Sequence, residues 1–488
     1  MLLRNVRIVG SGSSEPTDVL LKRGVVVGIG NALEGTATTD LGGRWLMPGL
    51  WDSHVHASQA ALSSRRVDVS SAASASEAVQ LMVRAPRPPE GLPLVGFGFQ
   101  DALWPDVPTS ALLDAGIADI PVVLMSRDLH CCWLNTAALG WLGLTTHSTG
   151  VVREDEAFPV TAALQNVPEE VLDGWVADVV AAAARRGIVG ITDLEMSDNI
   201  TAWSRRFAGG FRGARISAGV YSAGLDAAIA AGHYTGEVIA GTDGLLTVGE
   251  FKVLTDGSLN TRTAFCSEPY PGLSIDTHGI PTVAPEDLIE RMRTAHAAGF
   301  VPAVHAIGDE ANRLALDAFA AVGCGGRIEH AQLLRREDIA RFAALGVVAS
   351  VQPEHAMDDR EIADHYWAGR TDRAFPLRTL LDAGAELMLG SDAPVAPLDP
   401  WISISAAVGR SRDGRDPWHP EQAITAAEAI AASTRRSSSV RGRSSVRVGD
   451  VADLAIVDAD PLEATADELR SMPVSATMLA GYFTHDAL

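Results

Sequence analysis

The chain has 488 residues, 47% of them hydrophobic and 20% charged, an ordinary globular composition with room for more than one domain. Its 61 Asp and Glu against 39 Lys and Arg give a formal net charge of −22, a surface that repels nucleic acid and anionic membranes and leaves neither as an expected partner. No apolar run reaches transmembrane length, the N-terminus turns polar too early for a signal peptide, and the four cysteines form no Cys-x-x-Cys pair, so free thiols in a reducing cytoplasm are expected.

From the N-terminus, Leu2 to Val9, Asp18 to Leu21 and Val25 to Ile29 are predicted as short strands punctuated by glycine. Trp45 to Gly49 leads into Asp52-Ser53-His54-Val55-His56. The stretch from Ser58 to about Arg186 is too long for one strand–helix connection. It holds strand candidates at Leu94 to Phe99 and Pro121 to Met125 and a helix over Glu169 to Arg186, and it reads as an insertion roofing the site. Strand candidates follow at Gly187 to Leu194, Arg215 to Tyr221, Leu246 to Leu254, Phe300 to His305, Arg327 to His330, Val347 to Val351 and Glu386 to Asp392. Helical patterns lie between several of them, at Pro285 to Ala298, Asp309 to Val322, Arg336 to Leu345 and Pro376 to Ala383. With the strand before His54 this makes eight strands, an α/β chain of (β/α)8 TIM-barrel type. Arg435 to Ser445 reads as a linker and Gly449 to Asp458 as a further strand. Residues 1–47 and 440–488 are therefore expected to form one β domain, and 48–439 the barrel, with the insertion at about 58–186.

The chemistry-bearing residues stand at the ends of these strands, where barrel active sites lie. His54-Val55-His56 aims two imidazoles at one point, because residues i and i+2 share a face of a strand. His305, His330 and Asp392 close strands five, six and eight. Each alone is an ordinary core histidine or turn aspartate; together they can build a metal-hydroxide site for hydrolysis. Lys252 ends strand four. An ammonium repels metal ions, but burial among positive charges favours the neutral amine, which can take up carbon dioxide as a bridging carbamate. Spacing alone favours the other reading, a lysine paired with Asp256 or Glu250.

Beyond these positions the chain resembles the amidohydrolase superfamily, and within it amidohydrolase family 3, the YtcJ-like branch. The resemblance runs over nearly the full length through Gly96-Phe97-Gly98-Phe99-Gln100-Asp101-Ala102-Leu103-Trp104-Pro105, His130-Cys131-Cys132-Trp133-Leu134-Asn135, Asp256-Gly257-Ser258-Leu259-Asn260-Thr261-Arg262, Gln352-Pro353-Glu354-His355 and Gly390-Ser391-Asp392-Ala393-Pro394-Val395. The chain departs from the family at Asn260-Thr261, at Thr192 before Asp193, and at Cys131-Cys132, changes that bear on substrate preference. The resemblance implies a β-sandwich from both termini beside the barrel, metal-dependent hydrolysis of an amide-like bond, and a carboxylated lysine at Lys252.

On this reading two divalent ions, zinc by the chemistry of the donors, lie about 3.5–4 Å apart. His54, His56 and Asp392 hold one, His305 and His330 the other, and the Lys252 carbamate bridges them. Asp392 also carries the proton to the leaving nitrogen. Trp104, His130 and Trp133 on the insertion, Arg262 after strand four and His355 after strand seven are the candidate contacts to a small-molecule substrate with an N-acyl, N-formyl or related bond. The macromolecular partner expected is a second copy of the chain, in a homodimer. Two other functions compete: a mononuclear deaminase, and a non-enzymatic binding protein on the same scaffold.

Overall fold

The computed structural model describes residues 1–35, 37–99, 101, 104–126, 131–144, 147, 149–153, 156–164, 166–259, 262–272, 277–437 and 442–488. These form two compact units, one of residues 1–57 with 177–488 and the other of residues 58–176.

In the first unit the two ends of the chain share a sheet. Its strands run in the order Tyr482–Asp486, Val474–Leu479, Leu454–Val457, Trp45–Pro48, Leu2–Ile8, Thr17–Lys22 and Val25–Gly30, with Thr38–Asp40 also paired to Leu2–Ile8. The join is antiparallel, with Leu454 opposite Pro48 and Val457 opposite Trp45. Alternation along these short strands turns Leu3, Val6, Val19 and Leu21 from one terminus and Leu454, Ile456, Ala476 and Met478 from the other into a single buried core.

The rest of this unit is the barrel. Leu50–Val55, Ile188–Asp193, Arg215–Tyr221, Leu246–Leu254, Pro302–Ala306, Gly326–His330, Val347–Val351 and Leu387–Leu389 pair in parallel, each with the next in sequence. A parallel bridge between Val55 and Ala393 brings the eighth strand back to the first. Phe251, Val253, Val304, Ile328 and Val351 face outward and pack under Leu288, Met292, Leu316, Phe319 and Phe342, which is why these strands read as near-continuous apolar runs. The opposite faces of strands four and six are charged: Glu250, Lys252, Arg327 and Glu329 are all buried. The eighth strand is shorter than the sequence suggests and ends at Leu389, so Asp392 lies on the turn beyond it.

The second unit carries a five-stranded sheet in the order Val151–Arg153, Cys131–Leu134, Val122–Ser126, Leu94–Phe99, Val67–Asp68. The break between the units falls inside helix Glu169–Ala184 rather than at Arg186. The C-terminal end of that helix belongs to the first unit, within which the Thr477 hydroxyl donates to the Ala184 carbonyl at 2.6 Å. All four cysteines are buried, and none forms a disulfide among the described residues. No described helix is long and apolar enough to cross a membrane.

Candidate metal centre

Three donors converge at the C-terminal end of the barrel. One ligand atom each from His54, His330 and Asp392, all buried, lies within 4.8 Å of the others. His56 joins them: Asp392 Oδ1 stands 3.2 Å from His56 Nε2 and 3.4 Å from His54 Nε2. The His305 ring centroid is 4.5 Å from that of His330, and its Nε2 is turned to Asp256 Oδ1 and the Gly257 carbonyl, both at 3.3 Å. That leaves Nδ1 as the remaining donor of His305.

Strand geometry alone does not deliver His330. Alternation places Ile328 and His330 on the face opposite Arg327 and Glu329, and Ile328 indeed packs outward under the helices. A φ of 76° at His330 and 44° at Ala331 turns the backbone, bringing the His330 ring within 5.0 Å of the His54 ring. Asp392 is likewise held at a φ of 58°. Such left-handed conformations in residues with side chains cost of order 1–3 kcal/mol each and persist where the surroundings over-determine them.

Aspartates brace this rim. Asp52 accepts the Ser391 amide at 2.9 Å and so ties strand one to the Asp392 turn. Asp193 accepts the Ala57 amide at 3.1 Å and the Trp203 indole at 2.7 Å. Asp256 accepts the amides of Ile307, Gly308 and Phe265. Burial pushes Asp52 up to about 6.

Below the rim runs a buried chain of charge. Glu250 Oε2 lies 3.6 Å from Arg327 Nη2, Arg327 Nε lies 2.6 Å from Glu329 Oε1, and Glu329 Oε2 lies 2.8 Å from His54 Nδ1. Burial by itself would raise Glu329, but the charges of Arg327, Lys252 and His54 outweigh it and hold the group well below its ordinary value. An ionised carboxylate only accepts, so His54 carries its proton on Nδ1 and presents the Nε2 lone pair to the centre. Sequence reading passed over this chain, although its signal is present: charged residues two apart, Glu250 with Lys252 and Arg327 with Glu329, on otherwise apolar strands.

Lys252 is 1% exposed, and its Nζ has no hydrogen-bond partner among the described residues. The pairing that spacing favoured is absent, because Asp256 serves backbone amides and His305 while Glu250 faces Arg327. Burial brings the Lys252 amine down to about 8. Burial also brings His54 down to about 4 and His330 well below its usual range, which favours the neutral imidazoles a metal requires. For Asp392 burial works toward protonation, yet the surrounding imidazoles hold it well below the carboxylate range.

The other candidates divide. His355 is buried beside the cluster, with Nε2 at 3.8 Å from Asp392 Oδ2 and its ring stacked 6.1 Å from His330. Arg262 lies over the Tyr366 ring at 5.7 Å. Trp133 is fully buried in the apolar core of the 58–176 unit, where Phe99 and Trp104 pack on it. Trp104 donates its indole N–H to the Ala72 carbonyl at 3.2 Å. Both indoles thus serve as core in that unit, the outcome expected of large apolar side chains on adjacent strands and loops. His130 lies outside the described residues.

The model of the amidohydrolase family matches residues 37–485. The chain belongs to that family. Among its relatives, the protein LONG AFTER FAR-RED 3 of Arabidopsis thaliana is 28% identical over 99% of this chain and 90% of its own length. The putative amidohydrolase YtcJ of Bacillus subtilis is 27% identical over 92% and 91%. The N-substituted formamide deformylase of Arthrobacter pascens is 26% identical over 99% and 97%. A crystal structure of an uncharacterized metal-dependent hydrolase from Pyrococcus horikoshii superposes with a TM-score of 0.80 at 28% identity, covering 96% of this chain and 99% of that one. The barrel, the family and the structural likeness together make this chain a hydrolytic enzyme of YtcJ-like type.

Proposed function

We propose that the enzyme is a metal-dependent hydrolase of a C–N amide-type bond, N-acyl or N-formyl, in a small organic molecule. The observation that carries the reading is the convergence of His54, His330 and Asp392 beside a buried Lys252 amine without a partner. Neutral imidazoles, a carboxylate and a lysine able to become a carbamate fit divalent ions, zinc foremost. His54, His56 and Asp392 would hold one ion, His305 and His330 the second, and carboxylated Lys252 both. Bound there, the ions supply Lewis acidity, acidifying water toward neutral pH and polarising a carbonyl.

The residues do the rest. Asp392, kept ionised among the imidazoles, takes the proton of the attacking water and delivers it to the departing nitrogen. Glu329 fixes the tautomer and orientation of His54. His355, with Nε2 free of hydrogen bonds among the described residues, is the group available to steady the substrate carbonyl. Similarity to a formamide deformylase supports an N-formyl or N-acyl substrate.

The deaminase reading needs a free acid shortly after His305. Asp309 instead accepts the amide and hydroxyl of Ser267, and Glu310 pairs with Arg313 and Arg335. The test is metal analysis of the reconstituted protein, coupled to a screen of N-formyl, N-acyl, cyclic amide and carbamate compounds. Two ions per chain and turnover of an N-formyl or N-acyl compound are expected. One ion with ammonia release would make it a deaminase, and no metal with no turnover a binding protein.

A further inference from the structure

Helix Pro353–Tyr366 follows the seventh barrel strand and carries His355 in its first turn. Residues four and seven apart on a helix share a face, so His355, Asp359, Ile362 and Tyr366 form one strip. Its inner end reaches the metal centre, since His355 Nε2 is 3.8 Å from Asp392 Oδ2. Ile362 and Tyr366 pack on a core that includes Leu259, Ile307 and Leu333, which follow strands four, five and six. The strip therefore runs outward over the C-terminal ends of those strands. Asp359 stands one turn beyond His355, about 6 Å along the axis.

Every other acid of this helix is partnered. Arg412 pairs with Glu354 and Asp358, Arg415 pairs with Glu361, and the Trp418 indole N–H donates to Asp364. Asp359 is partly buried and has no hydrogen bond or ion pair among the described residues. Burial pushes its carboxyl up to about 6, with His355 pulling it down and Asp358 raising it. A carboxylate held partly from water gains from a charged donor brought against it. In a chain of net charge −22 the field draws cations rather than anions toward such a group.

We propose that Asp359 determines the substrate class of the enzyme, receiving a cationic amine that the substrate carries about one helical turn from the bond to be cleaved, with His355 on the carbonyl. The inference rests on the hydrolytic reading and narrows it. An N-formyl or N-acyl derivative of a diamine with a four-carbon spacer fits, its scissile bond and its ammonium about 6–7 Å apart when extended. A site that pairs with a charged substrate group rejects the analogue lacking that group, because its own polar atom is then left unpaired. An analogue ending in a carboxylate would meet a like charge.

The test compares three formamides with the same four-carbon spacer on the whole metal-loaded protein: N-formyl-1,4-diaminobutane, N-pentylformamide and 5-formamidopentanoate. The kcat/KM of the amine should exceed that of the pentyl compound by about tenfold or more, the worth of a charge-assisted hydrogen bond. The difference should lie mainly in KM, and the acid should be the poorest of the three. Asp359→Asn should bring the ratio of amine to pentyl compound close to one, and Asp359→Lys should make the acid better than the amine. Asp359→Ser gives the same readout where Asp359→Asn does not fold. A loss shared equally by all three compounds in Asp359→Asn would make the residue structural and overturn the proposal, as would a wild-type ratio near one. Absence of turnover with all three counts against the hydrolytic reading alone. The preference is then read from dissociation constants by calorimetry, where equal binding of the amine and the pentyl compound overturns the proposal.

Discussion

At the scale of single residues, the site rests on two buried groups, an aspartate that its imidazole neighbours keep ionised and a lysine whose amine burial brings down to about 8. Asp392 sits between His54, His56 and His355, and the proposed function makes it both ligand and proton carrier. Asp392→Asn changes almost no volume but removes the anion and the proton acceptor. Turnover should fall by more than the ~10²–10⁴ that general acid–base catalysis alone supplies, with the melting temperature little changed; kcat, metal content and thermal unfolding are the measurements. Lys252 should carry a carbamate in the metal-loaded protein, since its Nζ is unpartnered and its amine is brought down to about 8. Labelled bicarbonate should give a carbamate carbon signal by NMR, absent in Lys252→Ala. That variant should lose one metal and most activity, with partial return on adding a short-chain carboxylic acid. An active, metal-replete protein with an unmodified amine would rule the carbamate out.

At the scale of the elements, strands one, four and six are joined by the Glu250–Arg327–Glu329–His54 chain through the barrel interior. Removing one member of a buried ion pair leaves an uncompensated charge, so Arg327→Met should cost about 3–5 kcal/mol in urea unfolding. The pH dependence follows from Glu329, whose folded value lies well below its unfolded 4.5. The unfolded chain takes up that proton first as pH falls. The contribution of Glu329 is therefore fully present above about 4.5 and is lost as pH drops through the folded value. In Arg327→Met the folded value moves up toward 4.5, so that loss should be smaller and complete at higher pH, read from melting temperatures between about pH 3 and 7. Trp133 belongs to this scale too. Its motif suggests a site, but its place on Cys131–Leu134, paired on both sides by other strands, makes it core.

At the scale of the whole molecule, the two termini complete one sheet, and three of its eight strands come from the last residues of the chain. A chain ended at residue 450 should expose Leu46 and Val6 and give no soluble, cooperatively melting product, measured by yield and circular dichroism. The barrel was legible in the sequence because parallel strands covered by helices read as apolar runs at regular intervals, and the family motifs fixed their order. His54, His56 and Asp392 were legible because they close such runs. Tertiary structure alone decided that Glu329 faces His54, that Lys252 has no acidic partner, and that backbone turns at His330 and Asp392 swing those side chains into the centre. The reason is physical: alternation and hydrophobic period are local properties of a strand, whereas which buried charges meet depends on how strands distant in sequence are brought together around the barrel.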